Sequence, residues 1–293
     1  MASVVVVHGI AQQYLGGRTL HTAVAPALLD GLDLAGGPPL TEKDVDVAFY
    51  GHWFRPPGAT TKSADRSWTH RDVAEGFETD LLMALWAEAA RSHPGRVPAP
   101  DPGESHKAVT PRTVQRALYA LSKLLPPRFT DRFLVGVLKQ VRLYLTDDGV
   151  RERVQECVAR CVTDDTRVVV GHSLGSVVAY EALAANPAWN VRTLVTLGSP
   201  LGLPRLVFDR LRPGPVDGRG SWPGTVRSWT NVCDRGDVVA LAERLGPLFG
   251  DPPGDGRRTV TDVLVDNGWN AHDIVRHLTA VQTGSAVAEG LRP

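Results

Sequence analysis

Short runs of apolar, β-branched residues alternate along the chain with longer segments whose apolar positions recur at helical spacing. The first run, Val4–Val7, consists entirely of valine, a pattern typical of strands that are covered on both faces. The alternation predicts an α/β fold with a mostly parallel sheet of about six strands flanked by helices. The predicted strands are Val4–Val7, Val45–Tyr50, Arg167–Val170, Arg192–Leu197, Val226–Val232 and Val260–Val265.

Helical patterns fill the intervals between these strands. The interval between the second and third strands is much longer than one crossover helix needs, and it contains three further amphipathic stripes. We therefore interpret residues 1–293 as a single domain with a helical insertion at about 55–145 that covers the sheet as a lid or cap. The predicted helices of the main fold are Leu20–Leu32, Arg151–Val162, Val177–Ala185 and Ala271–Gln282, and the three stripes begin at Val73, Val114 and Phe133.

The charge balance argues against several classes of function. Basic and acidic residues both number 32 and the isoelectric point is about 7.1, so nothing favours binding to nucleic acid or to an anionic membrane surface. No apolar run approaches the roughly 20 residues of a spanning helix, and the N-terminus lacks the pattern of a signal peptide. We expect a cytoplasmic protein without stable membrane insertion, and its oligomeric state stays open.

The cysteines do not indicate a disulfide framework or a metal site. Cys157 and Cys161 lie one helical turn apart on a predicted helix, where a metal would need further Cys or His ligands in register. We therefore expect them to fill the core. The sequence also contains no phosphate-binding loop and no zinc-spaced His/Cys set, so no metal or organic cofactor is expected.

The strongest chemical signal is the segment Gly171–Gly175, which reads Gly-His-Ser-Leu-Gly. It follows the predicted strand Arg167–Val170 and precedes a predicted helix, which is the context of a nucleophile elbow. A sharp turn of this kind holds the hydroxyl of Ser173 at a helix N-terminus, where developing negative charge is favoured. Ser199 lacks the flanking glycine pair, and we interpret it as a turn residue at the rim of a pocket.

On this motif the chain resembles the α/β-hydrolase superfamily, and in particular its lipase-like and esterase-like serine hydrolases. The resemblance covers most of the chain outside the insertion. It implies an α/β-hydrolase fold and a catalytic triad in the chain order serine, acid, histidine. It also implies an oxyanion hole that is built partly after an earlier strand.

In that order the base follows Ser173, and His272 and His277 are the two histidines that do so. His272 comes just after the last predicted strand and its loop, where the family places its base. His277 falls inside the predicted final helix, where we expect a half-exposed side chain. The resemblance therefore favours His272 as the base.

The acid is expected in the loop after a late strand, and two aspartates follow the predicted strand Val226–Val232. Asp237 precedes small apolar residues, which matches the pattern that is frequent in the family. Asp234 is the alternative, and its side chain can instead hydrogen-bond the backbone of the turn. We favour Asp237, with the role of fixing the tautomer of His272 and stabilising its imidazolium form.

The first strand ends in His8-Gly9-Ile10, which resembles the segment before the oxyanion-hole residue in many members of the family. If the strands are ordered 2-1-3-4-5-6, the loops after the first and third strands become neighbours at the switch point of the sheet. The backbone N–H groups of Ile10 and Leu174 are then the predicted donors of the oxyanion hole.

The insertion is expected to determine the substrate. The candidate substrate-binding residues are His8, Trp53, Phe54 and Trp86, although packing of the insertion onto the sheet explains the aromatic residues equally well. The expected partner is a small-molecule or lipid-like acyl compound.

The sequence thus predicts a serine hydrolase that cleaves carboxylic ester or thioester bonds through an acyl-enzyme on Ser173, with Asp237 and His272. An acyltransferase or cyclase that uses the same triad is an alternative, because pocket shape and wetness distinguish these reactions. A non-catalytic binding module of the same fold is the alternative outside enzymes.

Overall fold

The computed structural model describes residues 2–55, 68–101, 110–124, 131–237, 240, 244–251, 258–268 and 271–292. The chain divides into two compact units. The first comprises Met1–Trp53 and Glu152–Pro293, and the second comprises Phe54–Arg151. The second unit overlaps the insertion predicted at about 55–145, parts of which lie outside the described residues. Its role as a lid stays a prediction.

The described strands of the first unit form one six-stranded sheet in which every pairing is parallel, ordered β2-β1-β3-β4-β5-β6. This confirms the predicted α/β class, and the predicted strand ends differ from the observed ones by no more than two residues. The strands are β1 Val4–Val7, β2 Val45–Ala48, β3 Val168–His172, β4 Thr193–Leu197, β5 Ser228–Asp234 and β6 Val260–Val265.

The helices of the first unit include crossover connections and a C-terminal pair. Their bounds are α1 Gly17–Leu34, α6 Leu174–Ala185, α7 Ile274–Thr279 and α8 Val281–Leu291, and helix α5 Asp148–Cys161 belongs to this unit from Glu152 onward. The second unit contains α2 Phe77–Ser92, α3 Pro111–Ser122 and α4 Asp131–Thr146. No helix of the described residues has both the length and the hydropathy needed to cross a membrane.

The core of the first unit explains the run of valines at the start of the chain. All four residues of Val4–Val7 are fully buried. Val4 and Val6 pack into a cluster with the apolar residues of α1 and α8, and the alternate side chains point to the other face of the sheet. Right-handed crossovers on either side of β1 place α1 and α6 on opposite faces, so β1 needs apolar residues throughout.

The final helix predicted at Ala271–Gln282 is wrong in its extent, because the segment forms two shorter helices. The side chain of Asp273 caps α7 by accepting hydrogen bonds from the N–H groups of Val275 and Arg276. Ala280 then takes an extended conformation, with φ −66° and ψ 133°, and α8 begins. The break lets α7 and α8 both approach α1 closely at Gly31.

The second unit has its own polar anchor. The carboxylate of Glu78 is fully buried and forms ion pairs with Arg142 Nε at 2.7 Å and with Lys139 Nζ at 3.2 Å. Helix α2 begins at Phe77, four residues after the start of the predicted stripe, because Gly76 has a φ of +81° that a helix does not accommodate. This unit is therefore a helical body held partly by a buried ion cluster.

Candidate active site

The turn between β3 and α6 has the backbone of a nucleophile elbow. Ser173 stands between the two elements with φ 53° and ψ −128°, a strained conformation for a residue other than glycine. The N–H of Ser173 donates to the carbonyl of Leu197 at the end of β4, over 2.9 Å. The strain thus lies where the sequence motif predicts a nucleophile.

The loop after β1 lies against this turn, as the strand order implies. A Cβ on Gly9 would stand 2.8 Å from the Cβ of Ser173, and a Cβ on Gly175 would overlap the carbonyl oxygens of Val7 and His8. Only glycine permits these approaches. The predicted oxyanion donors Ile10 and Leu174 directly follow Gly9 and Ser173, respectively.

Leu174 is the first residue of α6, so its N–H has no partner within the helix. A helix N-terminus of this kind favours negative charge nearby. The side of the elbow that carries Leu174 is therefore suited to hold an oxyanion. The assignment of Ile10 as the second donor stays a prediction.

His8 supports the loop after β1 from inside the protein. Its Nδ1 donates to the carbonyl of Gly9 over 2.6 Å, and its Nε2 accepts from the N–H of Tyr50 over 3.1 Å. The hydroxyl of Tyr50 in turn donates to the carbonyl of His8. Burial lowers the pKa of His8 to about 4, so the ring is neutral at pH 7. Both ring nitrogens are engaged within the protein, and a contact between His8 and substrate stays a prediction.

Asp237 and His272 form a hydrogen-bonded pair. His272 Nδ1 lies 2.7 Å from Asp237 Oδ2, and Asp237 Oδ1 accepts from the N–H of Ala240 over 3.2 Å. Burial acts to raise the pKa of Asp237, but the charge and hydrogen bond of His272, with a contribution from His277, outweigh it and hold that pKa below its ordinary value. The carboxylate is therefore ionised, as a triad acid requires.

The second ring nitrogen of His272 is the one that would face a nucleophile. Nε2 of His272 is buried and makes no hydrogen bond with the residues that the structure describes, so the hydroxyl of Ser173 is not bonded to it. Hydrogen bonds between nucleophile and base commonly tighten only when substrate is bound. The arrangement leaves this nitrogen available for proton transfer.

Gly198 lies directly against the Asp237–His272 pair. It has a φ of +51°, and a Cβ at this position would stand 2.6 Å from Asp237 Oδ2 and 3.0 Å from His272 Nδ1. Its neighbour Leu197 accepts the hydrogen bond from the N–H of Ser173. At the end of β4, Leu197 therefore contacts the turn at Ser173, and the next residue, Gly198, contacts the Asp237–His272 pair.

The alternative acid, Asp234, is used elsewhere. It is the last residue of β5, two positions beyond the predicted strand end, and it is buried. Its Oδ1 accepts from the N–H of Gly236 over 2.6 Å, and its Oδ2 accepts from the N–H of Asn267. Asp234 thus ties the loop that carries Asp237 to the segment after β6 that leads to His272. The residues that follow Asp237, at 238–239, lie outside the described part of the chain.

His172 connects the turn at Ser173 to His272. Its Nε2 donates to the main-chain carbonyl of His272 over 3.0 Å. Burial, followed by the neighbouring rings of His272 and His277, lowers the pKa of His172 well below its ordinary value. The ring is therefore neutral and acts as a donor that positions the backbone of His272.

The hydroxyl groups of Ser176 and Ser199 form a chain that supports the main-chain carbonyl of Ser173. Ser176 Oγ donates to the carbonyl of Ser173 over 2.6 Å and lies 2.7 Å from Ser199 Oγ. Since the single hydroxyl proton of Ser176 is used, Ser199 is the donor to Ser176, and Ser199 accepts from the N–H of Leu201 over 3.3 Å. Ser199 is thus a turn residue, as predicted, that also supports the elbow.

The aromatic candidates for substrate binding fall in both units. Trp53 belongs to the first unit, where it is half-buried, and the guanidinium of Arg153 stands 4.9 Å from its ring centre. Phe54 and Trp86 belong to the second unit, where both are buried and Trp86 Nε1 donates to the carbonyl of Pro98 over 2.8 Å. A contact of any of the three with substrate stays a prediction.

The two cysteines of α5 differ in burial: Cys157 fills the core as predicted, whereas Cys161 is only half-buried. Cys157 is buried, and burial together with the nearby carboxylate of Asp46 raises the pKa of Cys161 to about 12, which keeps its thiol protonated. Within the described ranges, no three His, Cys, Asp or Glu side chains are grouped to hold a metal ion.

Sequence reasoning missed three residues that contact the site. His172 lies inside the recognised motif, which assigns its ring no role, and Ser176 directly precedes the predicted helix Val177–Ala185, whose apolar pattern carries no signal for a hydroxyl contact. His277 was expected to be half-exposed, and this is wrong: its side chain is fully buried and Nε2 lies 3.8 Å from Asp237 Oδ2. Local sequence carries no clear signal for this burial.

Comparison with known protein families, with curated proteins and with solved structures found no match to this chain.

Proposed function

We propose that this protein is a serine hydrolase of the α/β-hydrolase type that cleaves carboxylic ester or thioester bonds through an acyl-enzyme on Ser173. The observation that carries the proposal is the hydrogen bond between His272 and a buried, ionised Asp237. The main chain of this His272 is bonded to His172, the neighbour of the strained Ser173. A buried carboxylate that orients an imidazole is the arrangement that activates a serine hydroxyl.

The chain brings these groups to one edge of the sheet. Ser173 follows β3, Asp237 follows β5 and His272 follows β6, and the carboxyl ends of parallel strands meet at the same edge. Two contacts support their proximity, since His172 binds the carbonyl of His272 and Gly198 lies against its ring. The order serine, acid, histidine is the order that the resemblance to α/β-hydrolases implies.

The first half of the proposed reaction forms the acyl-enzyme. His272 Nε2 takes the hydroxyl proton while Ser173 Oγ forms a bond to the carbonyl carbon of the substrate. The resulting oxyanion is stabilised by the N–H of Leu174 and, in our assignment, by that of Ile10, and one such donor typically contributes about 3 kcal/mol. The bond to the alcohol or thiol breaks, and the leaving group takes the proton from His272.

The second half releases the acyl group. A water molecule attacks the acyl carbon, gives its proton to His272 Nε2, and forms a second oxyanion in the same place. The bond to Ser173 Oγ then breaks, and the hydroxyl regains its proton from His272. Asp237 stabilises the imidazolium in both halves without taking the proton itself. No step requires a group other than substrate, water and these side chains.

The second unit is our candidate for the part that selects the acyl chain. Its helices are amphipathic, and its interior is lined by large apolar residues such as Phe54 and Trp86. The near-neutral charge of the chain favours an uncharged substrate surface. Small-molecule or lipid-like acyl compounds fit this chemistry.

Labelling with a fluorophosphonate probe tests the proposal, because the probe reacts with an activated serine and mimics the first step. We expect labelling of the wild-type protein and none of Ser173→Ala. Ser285→Ala, which removes an exposed hydroxyl on α8, serves as the matched control and should label like the wild type. A panel of p-nitrophenyl esters and acyl thioesters of graded chain length then defines the substrate. A wild-type protein that does not label, or labels equally without Ser173, overturns the proposal.

A further inference from the structure

His277 occupies an unusual position on the short helix α7. Its side chain is fully buried. Its backbone is held at both ends, since its N–H donates to the carbonyl of Asp273 over 3.1 Å and its carbonyl accepts from the hydroxyl of Thr283 over 2.6 Å. The ring is therefore fixed in place by the fold.

The ring of His277 faces the carboxylate of the acid–base pair. Nε2 lies 3.8 Å from Asp237 Oδ2, the same oxygen that accepts from His272 Nδ1. This distance is too long for a hydrogen bond but short enough to be closed by a small movement of the carboxylate. A carboxylate oxygen has two lone pairs, so Oδ2 can accept from both rings.

Neither ring nitrogen of His277 has a hydrogen-bond partner among the described residues. Buried polar groups without a partner are rare in proteins, and each one calls for an explanation. The ring of His172 is the other imidazole nearby, with its centre 6.0 Å away, and its Nε2–H is already donated to the carbonyl of His272. Asp237 is thus the acceptor that the geometry offers to His277.

We infer that His277 is a positioning residue for Asp237, in which its imidazole presents Nε2–H to Oδ2 and restrains the carboxylate beside His272. This inference rests on the proposed function for its consequence in catalysis. When His272 takes the serine proton, the carboxylate is drawn towards the new positive charge. The second donor keeps it ionised and correctly oriented when His272 passes the proton on.

The placement assigns His277 to the acid and not to the nucleophile. Its ring lies beside Asp237, and its side chain is fully buried. It therefore acts through the carboxylate, and its removal is expected to affect the rate of the chemical steps more than the binding of substrate.

The test compares His277→Leu with His277→Gln. Glutamine keeps an N–H donor at nearly the same distance from the backbone, whereas leucine keeps only the volume. Because a hydrogen bond to a charged group is typically equivalent to about a factor of ten in rate, we expect His277→Leu to lower kcat about tenfold with KM unchanged and His277→Gln to restore most of it. Equal kcat in both variants and the wild type, or an equal loss in both, overturns the inference.

A measurement on the wild-type protein keeps the inference testable if His277→Leu does not fold. Nitrogen-15 NMR of the histidine rings distinguishes the two neutral tautomers. We expect the ring of His277 to carry a proton on Nε2. A proton on Nδ1 alone overturns the inference. This result does not depend on activity, so a protein that fails to label with the fluorophosphonate probe but shows the Nε2–H form would refute the proposed function and leave the positioning of Asp237 intact.

Discussion

The ring of His172 and the main chain of His272 are joined by a hydrogen bond of 3.0 Å, although 100 residues separate them in the sequence. Ser173 is the next residue in the chain after His172. The bond therefore fixes the backbone of the proposed base relative to the residue beside the proposed nucleophile. Small displacements at such sites have large effects on rate, which makes the surrounding contacts good targets for experiment.

Variants of Asp234, at the end of β5, and of Asp237, in the loop that follows, should have different phenotypes. Asp237→Asn removes the charge that stabilises the His272 imidazolium and favours the wrong tautomer, so we expect kcat to fall roughly 10⁴-fold. Asp234→Asn should leave most of the activity but destabilise the fold by about 1–3 kcal/mol, because a buried acceptor of two backbone N–H groups is weakened. Ester hydrolysis and urea unfolding of both variants measure these effects. The reverse pattern would make Asp234 the acid.

A second prediction concerns Gly198. Gly198→Ala places a methyl group 2.6 Å from Asp237 Oδ2, and we expect it to separate the carboxylate from His272 and to reduce kcat by about 100-fold or more. Gly36→Ala is the matched control, since Gly36 has a similar φ of +64° but open space around it. The control should lose about 1 kcal/mol of stability through backbone strain and keep its kcat. A Gly198→Ala variant that keeps the kcat of the control would contradict this prediction.

The hydroxyl chain behind the elbow gives a third prediction. Ser176→Ala removes the hydroxyl donor of the Ser173 carbonyl, which still accepts from the N–H of Ser176 over 2.9 Å, so we expect a loss of about 1 kcal/mol in the free energy of unfolding. Ser199→Ala breaks only the outer link, and Ser176 can still donate to Ser173. Its effect should therefore be smaller. Urea unfolding monitored by tryptophan fluorescence ranks the two variants, and a larger loss for Ser199→Ala would contradict the order of the chain.

Stability should fall as the pH is lowered from about 6.5 to about 4. The folded protein holds His8 neutral with its pKa lowered to about 4, whereas the unfolded chain binds a proton near pH 6.5. Between these values the unfolded state binds more protons, so acid favours unfolding, by about 3 kcal/mol over the whole window for this one group. The lowered pKa of His172 acts in the same direction.

Urea unfolding at several pH values between 4.5 and 7.5 measures this dependence. In His8→Asn the slope of the unfolding free energy against pH should fall by the equivalent of about one bound proton between pH 4.5 and 6, because the titrating group is gone. An unchanged slope would mean that His8 does not contribute. The absolute stability of the variant is not the readout, since both hydrogen bonds of the ring are altered.

Local patterns in the sequence predicted the sheet well. Runs such as Val4–Val7 are apolar because the strand is covered on both faces, and this requirement is visible without any knowledge of distant contacts. The motif around Ser173 is equally local, since the turn from β3 into α6 is encoded by residues within a few positions of one another.

The features that sequence did not predict depend on contacts between distant elements. Asp234 extends β5 because it pairs with Val265 across the sheet, and its carboxylate then reaches the N–H of Asn267. His277 is buried on α7, which packs on α1, and its ring lies beside Asp237 from a distant part of the chain. Hydrophobic periodicity predicts neither outcome, because both depend on residues from distant parts of the chain that pack beside Asp234 and His277.

The order in which the polypeptide is synthesised gives the position of His272 a further meaning. A growing chain contains the strained serine and its helix long before the ribosome has added β6 and α7. Until then the hydroxyl has no imidazole to take its proton. Under our proposal, a translation intermediate cannot attack acyl compounds, and the onset of turnover reports that the last strand has joined the sheet.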